Sequence, residues 1–125
     1  MGLIASYFAA DSRAAEALPL GPERLAELQA VDGPALLPTD LGDLERRMRG
    51  RESWTMVDQT TETWLIRLGD RFVAQLAALP DPIDETLIDA WQLSSDELDA
   101  LELMRPLARA ASMEPGQALY IWLGL

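Results

Sequence analysis

Apolar residues recur along this chain with two different periods, and the places where the period changes mark its elements. Leu3–Ala9 (LIASYFA) alternates at period two, with Leu3, Ala5 and Tyr7 on one face and Ile4, Ser6 and Phe8 on the other. Apolar groups on both faces predict an interior strand covered on each side. Thr61–Leu68 (TETWLIRL) reads as a second strand, rich in Thr, Trp and Ile, with Trp64, Ile66 and Leu68 on one face. Ala118–Leu125 (ALYIWLGL) follows a break at Pro115-Gly116 and carries a run of large apolar residues. Such a run needs burial, so it predicts a strand in the middle of a sheet, paired with Leu3–Ala9. Glu52–Gln59 (ESWTMVDQ) fits either a short strand or a loop.

Between these stretches the period lengthens to that of a helix. Asp11 or Ser12 caps a short alanine-rich helix over Arg13–Leu18. Pro22 suits the first position of a helix over Pro22–Ala30, with Leu25 and Leu28 inward and Leu20 spaced to staple onto Leu25. Asp32-Gly33-Pro34 ends it, and Ala35–Pro38 connects onward. Thr39 or Asp40 caps Leu41–Arg49, where Leu41, Leu44 and Met48 form a core stripe and Gly50 stops the helix. Gly69-Asp70 opens Arg71–Leu79, with Phe72, Val73, Leu76 and Leu79 inward. Pro80-Asp81-Pro82 breaks the chain and restarts it, Asp81 as cap of Pro82–Trp91, whose Ile83, Leu87 and Trp91 share a face beside Ile88. Ser94-Ser95-Asp96-Glu97 is a capping box ahead of the longest helix, Ser95–Ser112. Its stripe is Leu98, Leu101, Met104, Ala108 and Ala111, and Pro106 predicts a kink. Strand, helices, strand, helices, strand argues a single α+β domain over residues 1–125. Its small sheet includes the first and last strands, with helices packed on it.

Composition removes most catalytic chemistry. The chain of 125 residues has no cysteine and no histidine. All ten of its basic residues are arginine. A thiolate nucleophile, a zinc–sulfur site, an imidazole shuttle, a Schiff base and a phosphate-loop lysine are therefore excluded. The sequence implies no cofactor and no metal; no loop has calcium-binding spacing. Met1-Gly2-Leu3-Ile4 lacks the basic and apolar regions of a signal peptide, and no apolar run approaches the roughly 20 residues of a membrane span. A cytoplasmic location is expected.

With 21 acids the net charge is −11, which repels nucleic acid and anionic membranes and attracts basic proteins. The surplus is concentrated. From Phe72 to Met104 there is no basic residue, but there are Asp81, Asp84, Glu85, Asp89, Asp96, Glu97, Asp99 and Glu102. One reading is a docking face for a basic partner, with Trp54 as an exposed aromatic anchor. The other is a solvated face that keeps the protein soluble. Arg46, Arg47, Arg49 and Arg51 form the one basic cluster, placed either to hold an anion or to pair with the chain's own acids. Trp64, Trp91 and Trp122 fall on core patterns. Glu52 and Asp58, flanking Trp54, are the candidates for a paired-carboxylate hydrolase. No glycine-rich loop or nucleophile elbow accompanies them.

Four segments resemble one family: MGLIASYF, DLGDLERRMRG, TETWLIRLGDRFVAQLAAL and GQALYIWLGL. They are similar to the YfbM-like family of bacterial proteins, classed as a domain of unknown function. The matching positions are Met1-Gly2-Leu3-Ile4, Met48-Arg49-Gly50 and Gly116-x-Ala118-Leu119-x-x-Trp122-Leu123. The family's middle helix usually carries Trp and His before the glycine step, and Asp40–Arg49 has neither. The resemblance implies a compact bacterial cytoplasmic α+β domain and supplies no catalytic residue. The expected function is a non-enzymatic interaction module, an immunity or inhibitor protein that masks a basic partner. The alternatives are a small ligand-binding or carboxylate-dependent enzyme domain, and a DNA mimic with carboxylates spaced like phosphates.

Overall fold

The structure is a computed structural model that describes residues 3–16 and 21–124. Strand β1 is Ile4–Asp11 and strand β5 is Gln117–Gly124; they pair antiparallel along their whole length, from Ile4 opposite Gly124 to Asp11 opposite Gln117. The large apolar run of β5 is satisfied by a central position. On its other side lies β4, Thr63–Arg67, and then β3, Thr55–Gln59. β2, Val31–Gly33, pairs with Ala5–Tyr7, so the order is β2-β1-β5-β4-β3, antiparallel throughout. The first and last strands meet as their patterns predict, and the fold is α+β.

The two faces of this sheet carry two cores. Alternate residues Ala5 and Tyr7, Leu119, Ile121 and Leu123, and Ile66 face the larger one. Over them pack α3 (Pro38–Arg49), α4 (Asp70–Ala77), α5 (Glu85–Trp91) and α6 (Ser95–Met113). The predicted stripes are the buried ones: Leu41, Leu44 and Met48 of α3, Phe72, Val73 and Leu76 of α4, and Leu101, Met104, Ala108 and Ala111 of α6. The opposite face presents Phe8, Ala10, Ala118, Tyr120 and Leu65 to Ala15 and Leu25. Those two come from α1 (Ser12–Ala15) and α2 (Pro22–Glu27). Phe8 and Tyr120, directly opposite in register, stack with centroids 5.3 Å apart. The Tyr120 hydroxyl donates to Glu16 at 3.0 Å; burial first, and Glu16 second, push its pKa up to about 12.

Local signals set most boundaries. Asp11 accepts from the Ala14 N–H at 2.8 Å, and the Ser94–Glu97 capping box is closed in both directions. Gly50 ends α3 with φ of 82°, a left-handed conformation that favours glycine. α6 continues through Pro106 to Met113.

Three expectations are corrected and one open choice is decided. Asp32-Gly33 is not merely a helix stop but the edge strand β2, held by its pairing with β1. Of the two forms open to Glu52–Gln59, the strand is the one taken, over Thr55–Gln59 as β3, with a register shift between Met56 and Asp58. α3 starts at Pro38, whose missing N–H suits a first helical position, and neither Thr39 nor Asp40 caps it. α5 begins at Glu85 with Asp84 as its cap, accepting from the Leu87 N–H at 3.0 Å. The preceding segment is fastened to α6 instead. Arg105 donates to the Pro80 carbonyl and the Asp81 carboxylate, and Glu102 accepts from the Ile83 N–H. Leu18 and Leu20, with the staple expected of Leu20, lie outside the described residues.

Candidate functional site

The first turns of α3 and α6 come side by side and leave a cleft of about 300 Å³ between them. Its lining is Asp40 and Asp43 from α3, Ser94, Asp96 and Glu97 from α6, with Ala35 and Leu36 at the end. Four carboxylates therefore converge on one concavity. Helix geometry explains why: Asp40, Asp43 and Arg47 recur at i, i+3 and i+7, one stripe flanking the buried Leu41/Leu44/Met48 stripe.

Arg47 pairs with two of the lining carboxylates, Asp43 and Glu97. Its guanidinium donates to Asp43 at 3.1 Å, to Glu97, and to the carbonyls of Trp91 and Gln92 at 2.9 and 3.0 Å. One side chain thus ties α3 to the end of α5 and the start of α6. Partial burial raises the Glu97 carboxyl, but the hydrogen bonds from Arg47 and Ser94 outweigh it and hold Glu97 below the usual carboxylate range. Arg47 is held further toward its charged form, chiefly by the hydrogen bond to Glu97. The cleft still carries four negative charges against one positive charge. Asp40 and Asp96 are exposed and, among the described residues, take no ion pair.

The rest of the acidic belt divides in two. Asp81 and Glu102 both bind the buried Arg105, which holds Glu102 below the usual carboxylate range against its partial burial. Asp84 is spent on the α5 cap. Glu85, Asp89 and Asp99 are exposed on α5 and α6 and form no ion pair among the described residues. The belt is therefore part structural glue and part free charge. Asp40 and Asp43 extend it from a distant part of the chain. Sequence reading missed both because neither lies in the acidic run; only the docking of α3 against α6 brings them in.

Three arginines of the cluster pair with different acids of the chain itself. Arg47 binds Asp43 and Glu97; Arg46 reaches Glu52 at 3.4 Å; Arg49 binds Glu45 at 2.5 Å. Arg51 is exposed and has no ion-pair partner among the described residues. Glu45 is fully buried, and it also accepts from the Ser53 N–H and hydroxyl at 2.9 and 2.6 Å, pinning the loop after α3. Trp54 is not a free anchor. It is half-buried against the main core and donates its indole N–H to Glu52 at 3.1 Å. Glu52 is held there and by Arg46, while Asp58 sits in β3 opposite Leu65, so the two carboxylates form no paired site. Trp64, Trp91 and Trp122 are half-buried rather than sealed in the core.

No protein-family model, no curated protein and no solved structure matches the chain. Among the described residues no group of three acids is placed to hold a metal ion, and no helix is long and apolar enough to cross a membrane.

Proposed function

We propose that this chain is a non-enzymatic interaction module that captures a basic protein partner, as an immunity or inhibitor protein masks its target. The observation that carries this reading is the acidic cleft between α3 and α6, where Asp40, Asp43, Asp96 and Glu97 outnumber their one guanidinium. A concave, preformed, one-signed surface suits the insertion of an arginine or lysine from a partner. Complementary charge speeds encounter and rejects acidic competitors. Glu85, Asp89 and Asp99 extend the field beyond the cleft. The reading places the protein in a bacterial cytoplasm, away from nucleic acid, and keeps the likeness to the YfbM-like family as part of the proposal.

The test is a pull-down from the source organism's lysate, read by mass spectrometry at low and high salt. A basic protein should be recovered at low salt and lost at high salt. It should also be lost with the double variant Asp40→Asn/Asp96→Asn. It should be kept by Glu62→Gln/Glu114→Gln, which removes the same charge from exposed sites away from the cleft. Equal retention by both double variants, or no salt-sensitive partner, sinks the proposal.

A further inference from the structure

The opposite face of the sheet carries a second concavity that the acidic cleft does not touch. α1 and α2 pack on Phe8, Ala10 and Tyr120, and among the described residues the sheet beside α2 is only partly covered. A cleft of about 360 Å³ lies there, lined by Ile4, Ser6, Leu25, Ala26, Asp32 and Trp122 among others. That volume is in the range of small-molecule sites, which are mostly apolar with a few placed polar groups.

The walls have that composition. Ile4 is 55% exposed, a large apolar side chain left in water at the rim, and Leu25 is buried behind it. The benzo edge of the Trp122 indole lies against Gly124, where any Cβ would collide with the ring. Glycine at 124 therefore lets the indole lie along the sheet. The polar groups are a single pair: Ser6, 5% exposed, donates its hydroxyl to Asp32 at 3.0 Å. Asp32 forms no ion pair among the described residues, and no arginine lines the cleft. The neighbouring Arg24 of α2 is engaged by Glu27 and the Ala14 carbonyl. An uncompensated carboxylate beside an indole, above apolar walls, is the combination that recognises an ammonium group with an apolar body.

We propose that this cleft binds a small organic ammonium, a primary alkyl- or arylalkyl-amine. Its cation would sit at Asp32 and Trp122, and its chain would lie along Ile4, Leu25 and Ala26. The proposal does not rest on the partner-capture reading, because the two clefts lie on opposite faces of the sheet.

The experiment is an NMR titration of the isotope-labelled protein with hexylammonium and, separately, with hexanol, which keeps the chain and removes the charge. Saturable shifts are expected at Ile4, Ser6, Ala26, Asp32 and the Trp122 indole N–H, with hexylammonium bound about tenfold more tightly than hexanol. Asp32→Asn should erase that preference and leave hexanol binding unchanged. Ala26→Trp, at an exposed rim position, should block both ligands, and Asp96→Asn should block neither. Spectra unperturbed away from the cleft establish that each variant folds. Three results overturn the proposal: no saturable shift at these residues up to about 10 mM, equal affinity for the two ligands, or an ammonium preference that survives Asp32→Asn.

Discussion

Glu45 shows how a charged residue becomes part of a core. It sits on α3 between Leu44 and Met48 positions that face inward, and its side chain has no contact with solvent. Burying a carboxylate is costly unless each oxygen is used. Here Oε1 accepts from the Ser53 N–H, and Oε2 accepts from the Ser53 hydroxyl and the Arg49 guanidinium. Removing one partner of such a set leaves the others buried and unpaired. Glu45→Ala should therefore destabilise the protein by about 3–5 kcal/mol. The check is urea unfolding, where the midpoint should fall with an unchanged slope. A loss under about 1 kcal/mol would mean that Arg49 and Ser53 find water once the carboxylate is gone.

At the scale of elements, the start of α6 joins helix capping to tertiary docking. Glu97 accepts from the Ser94 N–H at 2.9 Å and also binds Arg47, so one carboxylate closes the capping box and ties two helices together. Its pKa is lowered in the folded state, as is that of Glu102. In the window between the folded and unfolded values the unfolded chain binds more protons, so stability rises with pH. The contribution is complete above the unfolded carboxylate value of about 4.3 and is lost as pH falls through the lower folded values. Glu97→Gln keeps an oxygen for the capping box but loses the charge. Stability measured by urea from pH 6 down to about pH 3 should fall less steeply in this variant than in the parent. Parallel curves would show that Glu97 is not a source of the acid sensitivity. The capping box was legible in the sequence because it lies within four consecutive residues. So were β1, β5 and the stripes of α3, α4 and α6, whose periods follow from the faces they bury. β2 was not, because three residues carry no period and the strand exists through its pairing with Ala5–Tyr7. The start of α5 was misplaced for a similar reason: Arg105 and Glu102, some twenty positions onward, decide how Pro80–Ile83 is held. Of the acidic site, Asp96 and Glu97 stood out in the stretch from Phe72 to Met104, which has acids but no basic residue, while Asp40 and Asp43 needed the fold.

For the whole molecule, charge acts in two opposed ways that salt separates. A net charge of −11 on 125 residues repels itself, and the compact state suffers more from this than the expanded chain. Exposed pairs such as Arg24–Glu27 and Arg46–Glu52 offset little of it, since such pairs are worth about 0–1 kcal/mol each. The better-buried pairs, Arg49–Glu45 and Arg105–Glu102, are poorly reached by salt. Screening should therefore relieve repulsion more than it weakens attraction. Raising sodium chloride from about 0.02 M to about 0.5 M, where the Debye length shrinks to roughly 4 Å, should raise the thermal midpoint of the free protein. Each ~1 kcal/mol of relief is worth about 3–6 °C for a chain of this size. Over the same range the association rate with a basic partner of the kind proposed should fall, because the field that would steer it is the one being screened. The two measurements belong together. A midpoint that rises while association slows shows that the acid surplus destabilises the free protein and speeds the proposed binding. A midpoint that falls would show that ion pairs dominate the fold, and an association rate indifferent to salt would remove electrostatic steering from the mechanism.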